Sequence, residues 1–125
     1  MIAAYLSQVF LILFNIWMAH YHSRLLKKGK KIKHGIWGGL YLVLSVAITY
    51  FFGDLWLLIS SLLLRKFLFD IALNLSIPGR GVFHVSTETT SILDRVHFWA
   101  FGKHSEIYQT MYFMAWVVVN IKIAV

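Results

Sequence analysis

Two stretches of this chain run for the length of a membrane span without a charged side chain, and a dense basic cluster separates them. Ile2 to Ala19 precedes the cluster and Ile36 to Phe52 follows it; Arg24, Lys27, Lys28, Lys30, Lys31 and Lys33 stand between. At ~1.5 Å of rise per residue, a helix of about 18 residues reaches roughly 27 Å, close to a bilayer's hydrocarbon thickness. Apolar run, basic knot, apolar run predicts two spans joined by a loop on the cytoplasmic side, where the same six cations meet anionic headgroups. The knot has no interleaved aromatics and abuts a membrane segment, so nucleic acid is not its expected partner.

Composition points the same way. Only 14% of the 125 residues are charged and 59% are hydrophobic, where a soluble domain is nearer a quarter charged. Cysteine is absent, which excludes a disulfide framework, a thiolate nucleophile and any Cys-ligated zinc or iron–sulfur centre. The first run has its positive charges after it, opposite to a cleavable signal, so the mature chain is expected to begin at or near Met1, outside.

The expected fold is all-α: one membrane domain over 1–125, with four transmembrane helices and a short amphipathic interfacial helix. Spans are expected at 2–19, 36–52, 55–77 and 107–125, with a basic inner loop at 20–35 and a polar inner loop at 78–106. Tyr5, Trp17, Tyr21, Trp37, Tyr41 and Tyr50 fall near span ends, where aromatics with a polar tip gather. Gly35-x-x-x-Gly39 opens the second span with Gly38 beside it, a spacing that lets two helices approach closely in lipid. Gly53-Asp54 reads as a tight outer turn; the rival is one long helix from Ile36 that carries Arg80, Arg95 and Lys103 to the outside.

The third span is unusual. Its uncharged start, Leu55 to Leu64, is too short to cross alone, and continuation to Ile77 brings Arg65, Lys66, Asp70 and Asn74 into the inner half. Lys66, Asp70 and Asn74 recur at i, i+4, i+8, on one face within about 80° of arc. Lys66 is placed to pair with Asp70, Asn74 to bond either, and Arg65 to snorkel toward the headgroups. Pro78-Gly79 ends the helix. Thr90 or Ser91 with Asp94 marks a helix start, followed by an apolar stripe of Ile92, Leu93, Val96, Trp99 and Ala100, up to Gly102. This short helix is read as lying in the inner interface, or docked on the spans. Nine of the twelve Lys and Arg, the knot plus Arg80, Arg95 and Lys103, then face inward, with both termini outside a bacterial-type inner membrane.

All six histidines, His20, His22, His34, His84, His97 and His104, belong to the inner side, but none sits at metal-ligand spacing. Asp94 and His97, at i, i+3, suit a carboxylate-oriented histidine. No phosphate loop, dinucleotide fingerprint or nucleophile elbow occurs, so no cofactor or metal is expected. Arg65 to Asn74, then Gly79-Arg80-Gly81 with Phe83, then Thr90 to Arg95 resembles small hydrophobic proteins encoded by tailed phages and prophages of Bacteroidota-type hosts. These share an R-x-x-x-F-D-x-x-x-N helix and a later S-x-x-D-R segment. The resemblance covers about 30 residues and implies a setting rather than a mechanism. It singles out Arg65, Asp70, Asn74, Asp94 and Arg95, while His84 stands where the family tends to have tyrosine.

The leading functional expectation is a non-enzymatic membrane protein that assembles with itself or with a membrane partner. Lys66, Asp70 and Asn74 would supply polar contacts between helices, and Gly35 and Gly39 the close approach. The second expectation is a holin-like permeabilising protein. The third is a small enzyme or ion-coupled carrier that uses Asp70 or the Asp94 and His97 pair.

Overall fold

The computed structural model describes residues 2–30, 33–84 and 92–124. Among them are five α-helices and no strand: α1 (Ile2–Lys27), α2 (His34–Phe52), α3 (Leu55–Ser76), α4 (Ile92–Phe101) and α5 (Ser105–Ala124). The all-α class is therefore as expected.

α1 overruns its expected end at Ala19 by two turns. His20 to Ser23 look like loop residues in sequence, yet Met18, Ala19, His22 and Ser23 are fully buried, so packing carries the helix on. Arg24 and Lys27 thus sit in its last turn, where cations offset the carbonyl end of the helix dipole. Gly29, at φ +71, closes it with two reversed bonds, Lys30 N–H to Leu25 C=O (2.9 Å) and Gly29 N–H to Leu26 C=O (3.0 Å).

α2 and α3 are separate helices, not one long rod. Gly53 takes the left-handed conformation at φ +67 and its N–H returns to the Thr49 carbonyl, and the Asp54 carboxylate caps α3 by accepting from the Trp56 N–H at 3.0 Å.

α3 is the centre of the bundle, with α1, α2 and α5 around it. Side-chain contacts fix the directions. Ser60 meets Gln8 and Asn120 at one end, while Phe69 meets His22 and Asp70 meets Gln109 at the other. α1 and α3 therefore run parallel, and α2 and α5 run against them. The end of α1, the start of α2 and α4 all lie at one end of the bundle, which gathers most of the cations there.

Polarity is turned inside out. Gln8, Asn15, His22, Ser45, Ser60, Ser61, Asn74 and Gln109 are buried, whereas Leu6, Phe10, Leu13 and Ile16 of α1 and Leu42, Val43 and Val46 of α2 are exposed. α4 repeats the inversion: His97 is its buried residue, and Ile92, Leu93, Val96 and Trp99, the apolar stripe, face outward. Among the described residues one helix, α2 over Gly35–Phe52, is long and apolar enough to cross a membrane, with mean hydropathy 1.7.

Candidate functional site

Lys66 lies at the meeting point of three helices. Its Nζ donates to Asp70 Oδ2 at 2.8 Å, one helical turn on, and to Asp94 Oδ1 at 2.9 Å, across on α4. Gln109 of α5 donates from Nε2 to the same Asp70 oxygen at 2.8 Å. The i, i+4 pairing read from sequence is present. Asp94 and Gln109 turn it into a tie between α3, α4 and α5.

Asn74 shares the face with Lys66 and Asp70 but bonds neither. Its Nδ2 donates to the Val82 and His84 carbonyls at 2.9 and 3.1 Å. Together with Ser105 Oγ, which donates to the Phe83 carbonyl, it pins the turn after Pro78 to the bundle end. Two backbone carbonyls of that turn need a donor, and Asn74 supplies it.

Arg65 does not snorkel outward. Its guanidinium lies 3.5 Å from the centroid of the Phe69 ring and 5.7 Å from that of Tyr41, held over aromatic faces. Among the described residues no carboxylate pairs with it.

His97 turns to α5 rather than to Asp94. Its Nε2 shares a 2.6 Å hydrogen bond with the Tyr112 hydroxyl, and its ring stacks on Tyr108 at 4.5 Å. Burial and the nearby Lys66 ammonium hold its pKa below the usual histidine value. Arg95 is exposed on α4. Arg24, Lys27, Lys28, Lys30 and Lys33 are exposed at the same end of the bundle, and Lys31 lies outside the described residues. Among the described residues nothing lies within 4 Å of where a Cβ of Gly35, Gly38 or Gly39 would stand, so none of the described helices uses their close approach.

A cleft of about 490 Å³ opens beside the ion cluster. Gly38 of α2, Leu62, Arg65 and Leu73 of α3, Leu93 of α4 and Tyr112 of α5 line it, with Lys66, Asp70 and Asp94 along one wall. No spacing or motif in so small a chain points to a cavity. A smaller one of about 70 Å³ lies across Asp70 and Asp94, toward Asn74, Arg80 and His84. Among the described residues no three His, Asp or Glu side chains converge as metal ligands do.

Sequence reasoning missed a second polar system deeper in the bundle. Asn15 Nδ2 donates to the Tyr41 hydroxyl at 3.2 Å, and Tyr41 donates to the Ser61 carbonyl at 2.6 Å. Ser60 donates to Gln8 Oε1 at 3.0 Å and accepts from Asn120 at 3.2 Å. The signal was available: Gln8, Asn15 and His22 are the polar residues at seven-residue spacing in α1, and all three are buried. A heptad keeps one side of a helix on its neighbour.

No family model matches the chain, and neither a curated protein nor a solved structure is similar to it.

Proposed function

We propose that the chain is an integral membrane protein that crosses the bilayer four times, with α1, α2, α3 and α5 as spans and α4 in the inner interface. It works by assembling with itself or with a membrane partner rather than by catalysis. The observation that carries the membrane setting is the inverted polarity of α1 and α4. In water, α1 would place Phe10, Leu13 and Ile16 in solvent while burying Gln8, Asn15 and His22. Soluble monomers rarely leave so large an apolar surface uncovered. Lipid reverses the preference, since polar groups find partners inside the bundle and alkyl chains solvate its exterior.

The alternation of helix directions agrees with four spans, and the cation-rich end suits the cytoplasmic face of a bacterial-type inner membrane, with both termini outside. α4 adds its own support, because an amphipathic helix with an outward apolar stripe is what an interface holds.

Assembly shifts to α2. Lys66, Asp70 and Asn74 are engaged within the chain, so the surface left for a neighbour is the open Gly35 and Gly39 side of α2. Gly35→Leu with Gly39→Leu adds bulk where nothing is touched. In lipid nanodiscs, subunit counting by photobleaching is expected to fall to one per particle. An unchanged count would refute α2 as the assembly surface. Topology is checked separately: single cysteines at Lys28 and Lys103 should label from the cytoplasm and one at Lys122 from outside, and the reverse or uniform labelling would sink the four-span arrangement. The phage setting of the resemblance favours a holin-like outcome of assembly, read as abrupt loss of membrane potential on induction; sustained potential with intact oligomers would leave partner assembly.

A further inference from the structure

We propose that the cleft between α2 and α4 binds an amphipathic oxyanion, a carboxylate or phosphate head on one acyl chain, with Arg65 as the counter-cation. Three observations meet here. First, Arg65 is the cation of the cluster without a direct carboxylate contact among the described residues: Asp70 and Asp94 act on it only from a distance, Lys66 takes the direct contact with both, and the guanidinium rests on aromatic faces. Its guanidinium keeps a planar fork of N–H donors that matches carboxylate and phosphate oxygens, and it remains charged whatever its surroundings. Second, the remaining lining is mostly alkyl, from Leu62 and Leu63 to Leu73 and Leu93. Apolar walls with a few placed polar groups, at about 300–1,000 Å³, are the usual make-up of a small-molecule site. Third, the lining runs along α3 from Leu62 to Leu73, roughly 16 Å of helix. For a volume near 490 Å³, that is a slot proportioned for one extended chain rather than a compact ring system.

Charge decides the head group. Asp70 and Asp94 flank Lys66 along one side of the wall, where carboxyl oxygens would face an anion, so the head belongs on the Arg65 side. A neutral head would leave the guanidinium without a direct anionic contact, and a cationic head would meet it directly.

Gly38 gives a second handle, because it lines the slot and a Cβ there would meet nothing within 4 Å among the described residues. Gly38→Leu narrows the slot without touching a charge. The purified full chain in neutral detergent is titrated with radiolabelled oleate, then competed with oleoyl lysophosphatidate, oleyl alcohol and inorganic phosphate. Far-UV circular dichroism confirms that each variant is folded. The expected result is saturable oleate binding at one per chain, displaced by the lysophosphatidate when lipid phosphate is the natural head, and not by the alcohol or by phosphate alone. Arg65→Gln is expected to weaken binding at least about tenfold, the scale of a charge-assisted hydrogen bond, and Gly38→Leu to weaken it as much. Equal displacement by oleyl alcohol would overturn the role of Arg65. Displacement by inorganic phosphate alone would overturn the alkyl bed. If Arg65→Gln fails to fold, unaltered oleate binding in Gly38→Leu would refute the site by itself. The assay reads a monodisperse chain, so its failure and a failure of α2 assembly are separate results.

Discussion

Replacing Lys66 with methionine removes one cation from between two carboxylates and leaves the shape of the side chain. At an effective dielectric constant of about 20, each contact at 2.8–2.9 Å represents roughly 6 kcal/mol of gross attraction. Desolvation of the buried ions offsets most of it. Lys66 is 8% exposed, so its penalty is nearly full; Asp70 at 26% and Asp94 at 34% keep some contact with their surroundings. The loss in Lys66→Met is therefore not the attraction alone but two carboxylates facing each other without a counter-ion, and breaking such a buried cluster costs about 3–5 kcal/mol. Asp94→Asn leaves the Lys66 and Asp70 pair intact and should cost less, about 1.5–3 kcal/mol, the worth of one hydrogen bond to a charged group. The triple variant Lys66→Met, Asp70→Leu, Asp94→Leu removes every charge and is expected to regain most of the loss. Unfolding by sodium dodecyl sulfate in mixed micelles, followed by circular dichroism, measures all three. Lys66→Met within about 0.5 kcal/mol of the parent protein would refute a buried ion cluster, and so would a triple variant as unstable as the single.

Asn15→Leu, which cuts the tie to Tyr41, should cost about 0.6 kcal/mol, the common value for a polar contact between membrane helices; Leu11→Ala in the same helix should cost about 2–5 kcal/mol through the cavity left behind. Gly53→Ala forces a Cβ onto a left-handed residue and should lower stability by about 1 kcal/mol in the same titration. His97 titrates below its ordinary pKa of ~6.5, so the unfolded chain binds its proton first as pH falls. Its contribution is complete above about pH 6.5 and declines below that toward the lower folded value. Unfolding midpoints should drop from pH 7.5 to 5.5 in the parent protein, and His97→Gln should flatten that slope.

Much of the helix map was legible because its boundaries are set by local chemistry. Gly53-Asp54, Pro78-Gly79 and Gly102 stop or cap helices whatever surrounds them, and the Lys66 and Asp70 pair follows from one helical turn. The end of α1 was not legible: His20 to Ser23 look polar, and it is the burial of His22 against Phe69 and Trp37, with Ser23 buried beside it, that keeps them helical. Asp94 and Gln109 lie 28 and 39 residues from their partners, a distance at which one-dimensional spacing carries no information. The amphipathic period of α4 was read correctly, but periodicity cannot say which side docks. That depends on the medium, and here the polar side meets the bundle. The cleft beside Arg65 arises from helices packing at one end, so no residue pattern announces it.

The two-residue joint at Gly53-Asp54 governs synthesis as well as shape. It leaves no slack, so on the four-span reading proposed above α2 and α3 would enter a bilayer back to back, the apolar helix carrying in the one that holds Arg65, Lys66 and Asp70. At the moment α3 emerges, Asp94 and Gln109 have not been made. At about 5–20 residues per second, the last of them follows Asp70 by roughly 2–8 s. Through that interval α3 has α1 and α2, but not α4 or α5, as packing partners. A chain stalled before α4 keeps the Lys66 and Asp70 pair but lacks the Asp94 and Gln109 contacts that tie it to α4 and α5.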